Sequence, residues 1–149
     1  MSIRDATEAD LPRLVELLDQ LALDTPREER GPPLPAFYRD AFHRVDANDG
    51  QRLLVLEVDG EIVGTLVLLI IPNITHQGRP YATVENVVVE ERERGAGYGR
   101  QLLTYALDQA RAAGCYKLTL TSHKRRTDAH RFYERLGFDS TYEGYRVEL

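Results

Sequence analysis

The sequence predicts a mixed α/β (α+β) fold, with a central, mostly antiparallel sheet flanked by helices on both faces. Three observations predict it. The stretch Glu61–Ile71 is apolar on both faces, which marks a central strand covered twice. A second strand, residues 52–58, precedes it across Asp59-Gly60, a type I′ hairpin signal. Amphipathic helical stripes lie on either side of this strand-rich middle.

The elements follow in order. Residues 2–4 are β-prone and suit an edge strand. Thr7 is placed to cap a helix whose apolar positions, Leu11, Leu14, Val15, Leu18 and Leu21, recur at helical spacing. Residues 24–35 hold Pro26, Pro32, Pro33 and Pro35 and read as a loop, with a second helix over about 35–45. Pro72 ends the central strand, and 73–80 is a polar loop. Tyr81–Val89 is a third strand of the sheet, and 90–95 is charged and turning. A helix over about 97–113 has Leu103, Ala106, Leu107 and Ala110 as its core stripe, with Gly114 at its end. A strand over 116–121 and a basic loop over 123–126 follow. A short helix over 128–136 puts Ala129, Phe132, Tyr133 and Leu136 on one side. Gly137 ends it, and 138–149 is expected to close the chain as one or two strands.

Composition narrows the function. The 149 residues suit one domain, 1–149, able to bury roughly 68–70% of its unfolded surface. No apolar run reaches the roughly 18 residues of a membrane span, and the start lacks an apolar signal core, so a cytoplasmic protein with no membrane partner is expected. The net charge of −5 disfavours a nucleic-acid partner and suits a cationic amine. One cysteine, Cys115, excludes an internal disulfide, and no Cys or His pair has zinc spacing, so no metal is expected.

The chemistry is concentrated in residues 87–100, Val-Val-Val-Glu-Glu-Arg-Glu-Arg-Gly-Ala-Gly-Tyr-Gly-Arg. A buried strand leads through a charged turn into a helix start holding three glycines. Glycine inside a helix costs up to roughly 1 kcal/mol against alanine, so the cluster needs a cause. An anion held against bare backbone supplies one, because the first N–H groups of a helix lack internal partners and the dipole is positive there. Arg94 and Arg100 add charge. The Gly-Lys-Ser/Thr ending of a P-loop is missing, and Arg100 stands where a dinucleotide fingerprint needs its third glycine.

Arg94-x-x-Gly97-x-Gly99 after a Val-rich strand resembles the pyrophosphate loop of the GNAT superfamily of N-acetyltransferases, Gln/Arg-x-x-Gly-x-Gly/Ala. Two further stretches match in the family's order: Ile3-Arg4-x-Ala6-Thr7-x-x-Asp10 at the start and Phe132-Tyr133-Glu134-Arg135-Leu136-Gly137-Phe138 at the end. The resemblance covers nearly the whole chain. It implies the acyl-coenzyme A N-acyltransferase fold and acetyl-coenzyme A as co-substrate. It implies that Arg94, Gly95, Ala96, Gly97, Tyr98, Gly99 and Arg100 hold the coenzyme's pyrophosphate. Val87, Val88 and Val89 would meet its pantetheine arm and the acetyl carbonyl, and the coenzyme would enter where two strands part after Val89. It also suggests a homodimer.

Two side chains stand out for catalysis. A protonated amine of pKa about 10.4 costs on the order of 4–5 kcal/mol to deprotonate at pH 7, so a base helps. Glu85 is the candidate, on the face expected for Val87 and Val89, with electrostatic substrate binding or an arginine pair as its alternatives; Asn86 would point the other way. Tyr133 matches the family's acid tyrosine, which protonates the leaving thiolate; its alternative is a core tyrosine on an amphipathic helix. Many family members carry Asn three residues before the Ala matching Ala129. This chain has Arg126 there, within Lys124-Arg125-Arg126, which suits the coenzyme's phosphates, an anionic substrate or a solvated turn. His76, His123 and His130 read as surface residues, with a substrate contact as the alternative for His76 and the coenzyme groove for His130, and Cys115 reads as a packing residue.

Residues 83–89 and 114–117 are similar to stretches of glucosamine-6-phosphate N-acetyltransferases, and 128–133 to aminoalkylphosphonate acetyltransferases. The expected acceptor is therefore a small-molecule primary amine bearing a phosphorus anion. Polyamines, aminoglycosides and amino acids stay open as acceptors, and a protein N-terminal or lysine acetyltransferase and a non-catalytic acyl-coenzyme A sensor are the alternatives.

Overall fold

In the computed structural model, which describes residues 1–149, the element order is β1 (Ser2–Asp5), a 3-10 turn (Glu8–Asp10), α1 (Leu11–Asp19), α2 (Ala36–Asp46), β2 (Gln51–Val58), β3 (Glu61–Ile71), a one-turn α3 (Thr75–Gly78), β4 (Tyr81–Val89), a 3-10 turn (Glu91–Glu93), α4 (Tyr98–Ala112), β5 (Leu118–Leu120) and α5 (Thr127–Arg135). The strands stand in the sheet in chain order, β1-β2-β3-β4-β5, and the first three pairings are antiparallel. Tyr116 N–H bonds the Pro80 carbonyl, and Ala82 N–H the Lys117 carbonyl. The Thr83 hydroxyl bonds the Thr119 carbonyl. The partners ascend together, so β5 runs parallel to β4 and the sheet is mixed. The chain gathers into two compact units, residues 1–119 and 120–149.

The first unit follows from its patterning. Asp59 (φ 52°) and Gly60 (φ 82°) are both left-handed, as a type I′ turn requires, and join β2 to the central β3. On one face of the sheet Val55, Ile62 and Val88 pack with Leu11, Leu14 and Leu17 of α1 and Phe42 of α2. On the other lies α4. A Cβ on Gly64 would stand 2.9 Å from a Leu102 methyl, so the glycine permits the close approach of α4. Leu54, Leu56, Leu66, Leu68, Leu102 and Leu103 are fully buried, each worth roughly 1.5–3 kcal/mol of transfer free energy. Thr65, buried in the middle of β3, satisfies its hydroxyl on the Leu54 carbonyl at 2.7 Å.

The motif at the chain start has a physical reason. Arg4 forks onto Asp10 (2.8 and 3.1 Å) and reaches Glu57 on β2 (2.7 Å). The same Asp10 accepts the Thr7 N–H at 2.7 Å, so one carboxylate caps the turn and anchors β1. The loop before α2 is tied down too: Asp19 accepts N–H groups of Arg27 and Glu28 and the Arg30 guanidinium.

Several expectations change in detail. Leu102 joins the buried stripe of α4, while Leu107 is only half-buried. The strand expected over 116–121 shortens to Leu118–Leu120. His76 is exposed, as expected of a surface residue; it is left-handed and its ring stacks on Tyr116 at 3.6 Å.

The closing strands expected over 138–149 are not formed. In the second unit α5 ends at Arg135, the left-handed Gly137 follows, and Phe138 folds back so that its N–H meets the Tyr133 carbonyl. Asp139 then accepts both the N–H and the hydroxyl of Thr141, a local turn that competes with a ladder. Beyond it Tyr142, Tyr145, Val147 and Leu149 are exposed. The alternation of Tyr145, Val147 and Leu149 suits a strand, but alternation forms none without a paired neighbour.

Candidate active site

The first unit brings the stretch from Val87 to Arg100 together around the end of β4. Leu68 opposes Val84 and Val67 opposes Glu85, yet Thr65 opposes Val88 and Gly64 opposes Val89, so β4 carries one extra residue opposite Leu66. Asn86, left-handed at φ 54°, makes the bulge. It inverts the alternation after it. Thr65 and Val67 share one face of β3, so Glu85 shares its face with Val88, and Val89 lies on the α4 face near Gly64. The face expected for Glu85, that of Val87 and Val89, is corrected by this bulge. Glu85 and Asn86 are exposed, Val87 and Val89 half-buried, and the Val88 side chain is committed to the core. The signal for the bulge was the polar pair Glu85-Asn86 interrupting an apolar run, with Asn the side chain that best tolerates positive φ.

After Val89 the chain makes the 3-10 turn Glu91–Glu93, and Arg94 bends back so that its Nε donates to the Val89 carbonyl at 3.2 Å. Gly95 (φ 92°) and Gly97 (φ 88°) are left-handed, which explains two of the three glycines by conformation. A Cβ at either would meet nothing within 4 Å, so the loop surface is open. Ala96 N–H is loosely turned onto the Glu93 carbonyl at 3.4 Å. The helix starts one residue later than the sequence suggests, at Tyr98, with Gly97 as its cap and Gly99 as its second residue. Its first backbone bond runs from Gln101 N–H to the Gly97 carbonyl at 3.1 Å. The N–H groups of Tyr98, Gly99 and Arg100 therefore have no partner within the helix and emerge at its positive end. Arg100 is exposed beside them, and the buried Gln101 side-chain oxygen has no partner. A helix start of this kind can hold an anion.

The end of β4 is also held from α1 by residues that sequence reasoning did not single out. Glu90 accepts Arg13 Nη2 at 2.6 Å and Gln20 Nε2 at 3.2 Å, and Gln20 in turn accepts the Glu91 N–H at 3.1 Å. Arg13 holds the Glu90 carboxyl below the usual carboxylate range. Separated by some 70 residues of chain, these contacts leave no local signal.

The second unit brings Arg126 and Tyr133 together. The His130 ring nitrogen bonds the His123 carbonyl at 2.9 Å, the Arg125 N–H bonds the His123 ring at 3.1 Å, and His130 N–H starts α5 on the Arg126 carbonyl. The two histidines thus build the turn that displays Lys124, Arg125 and Arg126. Tyr133 is half-buried between Phe132 and Phe138, with ring centroids 5.4 and 6.0 Å away. Burial pushes its phenol above the ordinary range, and the positive charge of Arg126 works against that. A phenol raised in this way stays protonated at neutral pH, as an acid must. Cys115 is half-buried where α4 ends, its N–H on the Ala110 carbonyl, and burial pushes its thiol up, so it is a packing residue rather than a nucleophile.

No helix is long and apolar enough to cross a membrane. Residues 14–138 match the family model described as Acetyltransferase (GNAT) family. A glucosamine 6-phosphate N-acetyltransferase from Trypanosoma brucei brucei is 32% identical, over 100% of this chain and 96% of that protein. An aminoalkylphosphonate N-acetyltransferase from Salmonella typhimurium is 34% identical over 70% of this chain and 68% of its own length. Among solved structures, one from Bacillus halodurans described as a transcriptional regulator is 39% identical over 99% of both chains, with a TM-score of 0.94.

Proposed function

This chain belongs to the GNAT family of acetyltransferases and is an acetyl-transfer enzyme, and from that premise we propose that it carries the acetyl group of acetyl-coenzyme A to the primary amine of a small molecule bearing a phosphorus anion. The observation that carries the donor half is the start of α4, where three N–H groups without helical partners follow the left-handed Gly97. That geometry fits a pyrophosphate, which the loop from Arg94 to Arg100 would hold through backbone amides, with Arg100 and Arg126 as charged contacts. The main chain of Val87, Val88 and Val89 would run beside the pantetheine arm. The acceptor half rests on the relatives, one named for glucosamine 6-phosphate and one for aminoalkylphosphonates, and on the basic turn Lys124 to Arg126.

The reaction is direct attack. The neutral amine nitrogen forms a bond to the acetyl carbon as the carbonyl pair moves onto oxygen; the oxyanion then collapses, the carbon–sulfur bond breaks, and the nitrogen gives up one proton, leaving an amide and a thiolate. Glu85 is the proposed base, taking the amine proton directly or through water; its exposure suits exchange of that proton with solvent. Tyr133 is the proposed acid, giving its phenolic proton to the thiolate. A main-chain N–H near Val87 would face the oxyanion. A homodimer remains part of the proposal on family grounds.

The test of the acceptor class compares kcat/KM for glucosamine 6-phosphate and an aminoalkylphosphonate with glucosamine and a plain alkylamine. A site that pairs the phosphorus anion prefers the first two by about tenfold or more, the worth of one charge-assisted bond. Equal rates for charged and uncharged members of each pair would remove the anion from the proposal.

A further inference from the structure

We infer that Arg13, Gln20 and Glu90 form a clamp that positions the glycine-rich loop before coenzyme arrives. The inference rests on the reading that this loop holds the coenzyme's pyrophosphate. Glu90 is the junction. Its N–H is paired with the Val63 carbonyl of β3 at 2.8 Å, so its backbone still belongs to the sheet. Its side chain, 16% exposed, turns to α1 and meets Arg13 at 2.6 Å. Arg13 is itself fixed by donating Nε to the Ile62 carbonyl at 3.0 Å. Gln20 closes the cluster, its amide nitrogen on the Glu90 carboxylate and its oxygen on the Glu91 N–H.

The consequence follows from what lies next. The loop's firmer bonds run back to its first end, Glu93 N–H to the Glu90 carbonyl at 2.9 Å and Arg94 Nε to the Val89 carbonyl at 3.2 Å, whereas Arg94 N–H to the Glu91 carbonyl and Ala96 N–H to the Glu93 carbonyl are both 3.4 Å, near the limit of a hydrogen bond. Beyond them Gly95 and Gly97 offer no side chain to hold the backbone. A loop so loosely tied takes its position from its two ends. One end is α4, buried against the sheet through Leu102 and Leu103. The other is the Glu90-Glu91 step, and the clamp is what fastens it to α1. These are positioning residues: none need touch coenzyme or substrate.

The test uses Gln20→Leu, which removes Gln20's links to Glu90 and to the Glu91 N–H and leaves the Arg13–Glu90 pair, and Glu90→Gln, which keeps the shape and an acceptor oxygen but loses the charge. Glu16→Gln is the control, since it breaks the other ion pair of Arg13 without touching the loop. Two readouts are taken on the folded full-length protein: amide hydrogen exchange at residues 91–98, and calorimetric affinity for coenzyme A. If the clamp sets the loop, exchange there quickens in Gln20→Leu while exchange in α4 stays unchanged. The dissociation constant rises about tenfold if the bound arrangement falls to a tenth of the population. In kinetics KM for acetyl-coenzyme A rises and kcat at saturation does not. Glu90→Gln lies between Gln20→Leu and wild type, and Glu16→Gln matches wild type. Unchanged exchange at 91–98 in both variants overturns the clamp, as does an unchanged affinity in both. If wild type itself fails to bind coenzyme A, the functional reading fails, and hydrogen exchange alone decides whether the clamp positions the loop.

Discussion

Replacing Gly97 separates what the loop's conformation contributes from what its charge complementarity contributes. Gly97 sits at φ 88° with open space around its missing Cβ, so alanine there meets no clash and only the backbone is strained. Left-handed backbone costs an L-residue roughly 1–2 kcal/mol. In a chain of this size each kcal/mol is worth about 2–4 °C, so Gly97→Ala lowers Tm by about 2–8 °C. Gly97→Glu carries the same strain and adds a carboxylate at the mouth of the Tyr98, Gly99 and Arg100 amides. A charge-assisted hydrogen bond is worth about 1.5–3 kcal/mol, so loss of one weakens coenzyme A binding by about 10–150-fold relative to the alanine variant. Calorimetric titration of both variants at one ionic strength, with thermal scans beside it, reads the two effects apart. Equal affinity in the two variants would refute the anion site. Affinity as in wild type for Gly97→Glu would remove the loop assignment altogether.

Three further outcomes are expected. Tyr133→Phe lowers turnover by about 10²-fold, the low end for general-acid catalysis because a thiolate of pKa about 8.5 leaves readily, with coenzyme affinity intact; unchanged turnover would make Tyr133 a packing residue. Glu85→Gln flattens the alkaline-rising limb of the kcat/KM profile, and an unaltered profile would send the search for the base elsewhere. Arg4 holds the Asp10 carboxyl below the usual carboxylate range, so its stabilisation is complete above the unfolded pKa of about 3.9 and is lost as pH falls through the lower folded value. Asp10→Asn therefore costs about 1 kcal/mol at pH 7, after discounting for solvent screening, and flattens the acid limb of a denaturant-monitored stability titration.

Much of the fold was legible because its signals are local. Two-sided burial marked β3, Asp59-Gly60 marked the turn before it, and helical spacing marked α1 and α4. The candidate anion site was legible for a similar reason, since glycines crowded at a helix start weaken the helix unless bare backbone is wanted there. What escaped depends on partners distant in sequence or on a single residue's backbone. One left-handed residue, Asn86, inverts the faces of β4 after it, and no alternation rule reports it. The closing strands failed because alternation at Tyr145, Val147 and Leu149 says what a segment suits, not whether a neighbour pairs with it. The Arg13–Gln20–Glu90 cluster joins residues 13, 20 and 90, a link that only folding creates.

The central claim is acetyl transfer to an amine, and the direct measurement is thiol release from acetyl-coenzyme A over a panel of amines, with the acylated product quantified by mass spectrometry. The expected result is amine-dependent release, one acetylated amine per thiol, led by phosphorus-bearing acceptors. Coenzyme A binding without amine-dependent release from any primary amine would contradict it and leave a binding module in its place.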